Sequence, residues 1–127
     1  MSGQGQRILV VDDRWSIRNS VSHGLKRIGF KVDDSNCAEQ ALFKLNQSQY
    51  DVLITDIRMP NVNGFVLATI VRELHPSIKI IFMSDYDFED VQKKYKELRR
   101  YPQLSKPFKL GQLCKLLNVE ATDIKVH

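Results

Sequence analysis

Short apolar runs alternate along this chain with longer stretches in which apolar residues recur at every third or fourth position. The runs are Arg7–Asp12 (RILVVD), Phe30–Asp34, Asp51–Asp56 (DVLITD) and Ile78–Ser84 (IKIIFMS), with a weaker one at Gln103–Ser105. Each reads as a buried strand. The periodic stretches predict helices. Trp15–Ile28 places Ile17, Val21, Leu25 and Ile28 on one face, and Gly29 supplies a stop. Asn36 fits an N-cap with the acid Glu39 three residues on, and Ala38, Ala41, Leu42 and Leu45 then point inward. Phe65–Leu74 forms a third helix, stopped by His75-Pro76. Phe88, Val91, Tyr95 and Leu98 space a fourth, and Leu110–Asn118 is the last.

Strands alternating with helices predict an α/β architecture, a parallel sheet covered on both faces. Right-handed crossovers then give a doubly wound, five-stranded sheet of order 2-1-3-4-5 with five helices. The connections are too short for separate domains. The 127 residues therefore read as one domain over residues 7–118. Residues 1–6 read as a flexible N-terminal tail, and residues 119–127 as a C-terminal tail or the start of a linker. No internal repeat or low-complexity segment interrupts the pattern.

Composition narrows the class. At 43% hydrophobic and 27% charged residues, the chain carries enough apolar surface to fold. Its apolar runs are far too short to span a bilayer, and MSGQGQR has no apolar core of a secretory signal. No membrane partner and a cytoplasmic location are expected. Cys37 and Cys114 fall in helical patterns, without a CxxC motif or a His/Cys cluster, so they read as small core or boundary residues. The net charge of +4 is modest, and much of it lies in Lys93–Arg100. Lys93, Lys96 and Arg100 fall opposite the Phe88–Leu98 stripe and form a basic face. Direct nucleic-acid binding within this segment is not expected.

The chemistry lies where the strands end. In such folds ligands sit at the carboxyl ends of the strands, beside the switch in strand order. That switch falls between strands one and three. Strand one ends in Asp12-Asp13, strand three in Asp56, strand four in Ser84, and strand five runs into Lys106-Pro107. Singly these would be helix caps, a turn serine and a surface lysine. Together, three carboxylates repel one another, raise each other's pKa and need a cation. A hard divalent ion with oxygen ligands suits them, and Mg²⁺ is the expected cofactor. A carboxylate beside Mg²⁺ and an ammonium can attack a phosphoryl group and hold it as an acyl phosphate. No Gly-rich loop follows strand one, so the site is not built for a nucleotide.

The set LVVDD, TDIRMPNVNG, MSD and SKPF resembles the receiver domain of two-component response regulators, from about Arg7 to Asn118. The spacings between the motifs fit as well as the motifs. The resemblance implies a flavodoxin-like fold and a phosphorelay signalling module, not an enzyme. It implies that a histidine kinase or phosphotransfer protein donates a phosphoryl group to Asp56 in an Mg²⁺-dependent reaction. Asp12 and Asp13 would bind the metal, with Asp13 the direct ligand, together with Asp56 and the backbone carbonyl of Arg58. Ser84 would be the switch hydroxyl, and Lys106 would pair with the phosphate and precede a cis peptide to Pro107. The surface formed by Phe88–Leu98, Gln103–Ser105 and Leu110–Asn118 would change for a downstream output domain or protein, or for a homodimer.

Four positions depart from the family pattern. Asp85 follows the hydroxyl where a small residue is usual, adding negative charge that would slow transfer or obstruct access. Gln103 stands three residues before the lysine, where an aromatic is frequent. Asn63 replaces an acid before Gly64. Pro102 makes the fifth strand short or an edge. Tyr101 lies two residues before Gln103 and, on a regular strand, on the same face, so it is the candidate for a displaced aromatic. Two other functions compete: an aspartyl-phosphate phosphatase and a receiver used only for binding. The first usually carries its acids as D-x-D on the nucleophile strand, whereas this chain has Asp12-Asp13-Arg14 on strand one.

Overall fold

The computed structural model describes residues 6–85 and 96–118. Five parallel strands, β1 (Arg7–Val11), β2 (Lys31–Ser35), β3 (Val52–Asp56), β4 (Lys79–Ser84) and β5 (Gln103–Ser105), form one sheet in the order β2-β1-β3-β4-β5. Four α-helices are described: α1 (Trp15–Arg27), α2 (Ala38–Gln47), α3 (Gly64–Leu74) and α4 (Leu110–Leu116). The helix expected over Phe88–Leu98 lies mostly outside the described residues. Its last positions belong to a 3-10 helix, Lys96–Arg100, on which Lys96 and Arg100 are exposed. Among the described residues no helix is long and apolar enough to cross a membrane.

The strands read as continuous apolar runs because both faces of the sheet are covered. Alternate side chains serve opposite cores. Leu9, Val11, Leu53 and Phe82 pack with Ala41, Leu45, Leu67 and Val71 of α2 and α3. Ile8, Val10, Ile54, Ile81 and Met83 pack with Val21 and Leu25 of α1 and Leu113 and Cys114 of α4. Full burial of each such aliphatic side chain contributes about 1.5–3 kcal/mol. Cys37 is half-buried, and both cysteines are free thiols.

Local chemistry sets the helix ends. Gly29 has φ 104°, and Phe30 and Gly29 donate to the carbonyls of Leu25 and Lys26, which closes α1 in a Schellman motif. Asn63 caps α3 through its side-chain oxygen, 2.9 Å from the Val66 N–H. The cap of α2 differs from the expectation. Helix α2 begins one residue later than an Asn36 cap requires, with Cys37 in the cap position. That shift puts Gln40, not Glu39, at the third position, and its Oε1 reaches back to the Asn36 N–H at 3.0 Å. At β5, Phe82 N–H donates to the Pro102 carbonyl, and the strand is a three-residue edge, as proline requires.

The amino-terminal rim of the sheet carries its own polar cluster. The Arg7 N–H donates to Asp51 at 2.8 Å, and its guanidinium pairs with Asp33 at 3.5 Å. Tyr50 donates to the same Asp33 at 2.7 Å and lies under the Arg7 guanidinium, 5.6 Å from its ring centre. Burial and the Asp33 charge both raise the Tyr50 pKa.

Candidate functional site

Strands β1 and β3 are neighbours, and Val11 pairs with Thr55. One residue further on, the two chains deliver Asp12 and Asp56 side by side at the carboxyl end of the sheet. Asp12 is fully buried and Asp56 is 4% exposed, while Asp13 turns toward solvent. One carboxylate oxygen from each of the three lies within 4.8 Å of the other two. The sequence-predicted acids therefore meet.

Ser84 and Lys106 arrive from β4 and β5. The Ser84 side chain is buried at the end of β4, and its carbonyl accepts from the Lys106 N–H at 2.8 Å. That bond fixes the residue just past β5, and the Lys106–Pro107 peptide is cis. The Lys106 side chain is 5% exposed and runs to the acids. Its Nζ stands 2.6 Å from Asp12 Oδ2 and 3.5 Å from Asp56 Oδ1. Arg58, two residues beyond Asp56, keeps its side chain exposed.

The backbone around Asp56 is held from three directions. Thr55 Oγ1 donates to the Asp56 carbonyl at 2.9 Å. The Ile57 N–H donates to Met83 at 3.1 Å, and the Gly64 N–H donates to Ile57 at 2.7 Å. Burial is the largest influence on the Asp56 carboxyl and pushes its pKa up to about 6 from 3.8. The Lys106 ammonium opposes this, the Asp12 charge adds to it, and the Arg14 guanidinium opposes it more weakly.

Two arginines complete the rim, and sequence reasoning passed over both. The Arg14 N–H donates to Asp12 Oδ1 at 2.9 Å, and its guanidinium pairs with Asp85. Arg18 donates to the Asp12 carbonyl at 2.8 Å and pairs with Asp34 at 3.7 Å. The available signal was their four-residue spacing, which puts both on one face beside the acid pair.

The family model described as "Response regulator receiver domain" matches residues 8–118. The chain belongs to that family. This receiver is 41% identical over 73 residues to the sensor protein EvgS of Escherichia coli O157:H7, which covers 58% of the chain and 6% of EvgS. It is 32% identical over 114 residues to the DNA-binding transcriptional regulator NtrC of Proteus hauseri, covering 90% of the chain and 24% of NtrC. The chain thus spans a quarter or less of these two relatives. The solved structure of the chemotaxis protein CheY4 of Vibrio cholerae superimposes with a TM-score of 0.81 at 30% identity, over 89% of this chain and 96% of that one. The response regulator TrrA of Thermotoga maritima, in complex with Mg²⁺-BeF, gives 0.78 at 29% identity, over the same shares.

An aromatic pair lies beside β5. Gln103 pairs in register with Phe82 and is half-buried. The Tyr101 ring packs edge-on against Phe82, with ring centres 5.3 Å apart. Its hydroxyl accepts from Arg72 of α3 at 3.0 Å.

Proposed function

We propose that this chain is the phosphoacceptor module of a phosphorelay and that Asp56 accepts the phosphoryl group. The donor is a histidine kinase or a phosphotransfer protein. The observation that carries this reading is the Lys106 ammonium set between Asp12 and Asp56 beside a cluster of three carboxylates. An Asp56 oxygen forms the new bond to phosphorus as the donor P–N bond breaks. The departing imidazole nitrogen keeps the electron pair and takes a proton from solvent. Lys106 exchanges an acid for a phosphoryl oxygen, and the Ser84 hydroxyl donates to another.

Three acids against one lysine leave an excess of negative charge, and all the donors are hard oxygens. Opposite ligands of an octahedral Mg²⁺ stand roughly 4 Å apart, comparable with the spread of these carboxylates. The residues fit the ion. Asp12, Asp13, Asp56 and the Arg58 carbonyl would hold it, and when bound it supplies neutralising charge for phosphoryl transfer.

The domain comprises residues 7–118, with 1–6 read as an N-terminal tail and 119–127 as a tail or the start of a linker, and works in the cytoplasm as a signalling module rather than an enzyme. Its downstream partner is an output domain or protein, or a second copy, reached through α4, β5 and the segment before them. EvgS and NtrC, a sensor protein and a transcriptional regulator by name, both contain such a sequence, which supports partners on either side of the relay.

The test is acyl phosphate formation from acetyl phosphate with and without Mg²⁺. Metal-dependent, Asp56-dependent label supports the reading. A parent protein that takes no label leaves the binding-only receiver as the function, and undiminished label in Asp56→Asn places the acceptor elsewhere.

A further inference from the structure

The Arg14–Asp85 ion pair joins the two loops that flank the acid cluster, the β1–α1 turn and the exit of β4. Seventy-one residues separate the partners. The turn is fixed from below, because the Arg14 N–H is bound to Asp12. Its guanidinium pairs with Asp85 across the two loops, and the two side chains are 48% and 39% exposed. Arg18, one turn on, is only 14% exposed and is committed to the Asp12 carbonyl and Asp34. Arg14, unlike Arg18, can therefore change partner.

We propose that Arg14 is a substrate-binding residue that grips the oxygens of the incoming phosphoryl group, and that Asp85 is the positioning residue that latches it beforehand. This rests on the phosphoacceptor reading of Asp56. A guanidinium presents a planar fork that matches phosphoryl oxygens in pairs, as it matches a carboxylate. A dianionic phosphoryl group is the stronger acceptor, so its arrival moves the fork from Asp85. The exposed pair is screened by water and salt, which makes that exchange easy. The Arg14 charge already acts on Asp56, so the guanidinium is within electrostatic reach of the reacting oxygen. Asp85 therefore does more than add repulsion. It sets how much of Arg14 is available.

The experiment compares the parent with Asp85→Ala, Arg14→Ala, the double variant, and Arg14→Lys in the Asp85→Ala background. Both side chains are substantially exposed, so the fold tolerates these changes. Two readouts are taken at low and high salt with saturating Mg²⁺. One is the initial rate of Asp56 phosphorylation by acetyl phosphate, and the other is beryllofluoride affinity followed by Trp15 fluorescence. Asp85→Ala should exceed both the parent and the double variant by about three- to fivefold, the scale of one exposed charge contact. The excess should shrink at high salt and fall when lysine replaces the arginine. If Asp85→Ala and the double variant coincide, Arg14 does not touch the phosphoryl group and the proposal is overturned. A parent that is phosphorylated normally while these variants match it removes this inference alone. A parent that takes no phosphoryl group removes the functional reading and this inference together.

Discussion

Gly64 lies directly against the backbone of Asp56. A Cβ built on it would stand 1.9 Å from the Asp56 carbonyl oxygen and 3.0 Å from Thr55 Oγ1. The first turn of α3 is thus seated on the residue that carries the chemistry, and only a hydrogen fits between them. Gly64→Ala should cost about 1–3 kcal/mol, the usual range for overpacking, because backbone must move. Urea unfolding measures the loss. Phosphorylation should fall further than stability predicts, since the displaced atom belongs to Asp56. Unchanged stability would mean that the α3 turn has slack.

Asp56→Asn should abolish acyl phosphate and raise metal-free stability at neutral pH. The amide keeps the shape and removes a buried charge that faces Asp12. Chemical denaturation in chelator measures the second effect, and a less stable variant would show that the Lys106 pair outweighs the burial cost.

The same group fixes the direction of a pH effect. The Asp56 pKa is about 6 in the fold against 3.8 for the ordinary carboxyl. Between those values the folded state binds more protons, so rising pH favours unfolding. The stabilising contribution is complete below about 3.8 and lost as pH rises through 6. The stability difference between the parent and Asp56→Asn, in chelator, should therefore open across that interval and be small at its acid end. A constant difference from pH 4 to pH 7 would contradict the burial argument.

Asp13→Ala should weaken Mg²⁺ binding at least tenfold while leaving the fold intact, since Asp13 is exposed and carboxylate ligands dominate affinity for this ion. Trp15, two residues on and 67% exposed, reports the titration. Equal affinity in the variant would remove Asp13 from the ligand set.

Tyr101→Ala should destabilise the protein more than Gln103→Ala. It removes the edge contact with Phe82 and the bond from Arg72. Gln103→Tyr should strengthen the coupling between beryllofluoride binding and the α4–β5 surface by placing a ring in register with Phe82. Partner affinity or dimerisation with and without beryllofluoride measures it.

The strands, their order and the meeting of Asp12, Asp13, Asp56 and Lys106 were legible in the sequence. Buried strands must be apolar, and an acid at the end of one is conspicuous. The pairing of Arg14 with Asp85 was not legible. It depends on how two loops close across 71 residues, and periodicity says nothing of loops. Asp85 alone looked like added repulsion because its counter-ion could not be seen. The α2 cap was misplaced by one residue, since the bend after β2 holds both Asn36 and Cys37 and it is Cys37 whose extended backbone precedes the first turn. The Asn63 cap was missed because Asn63 was weighed only as a replaced acid, although its oxygen does what an aspartate's would.

Among the described residues, two polar clusters occupy opposite rims of one sheet. Asp12, Asp56 and Lys106 occupy one, while Arg7, Asp33, Tyr50 and Asp51 tie the strand starts at the other. The apolar interior lies between them. Thermal hardening and signalling are therefore separately adjustable. A disulfide or a tighter ion pair engineered near Tyr50 would raise heat tolerance while leaving the relay's timing as it was.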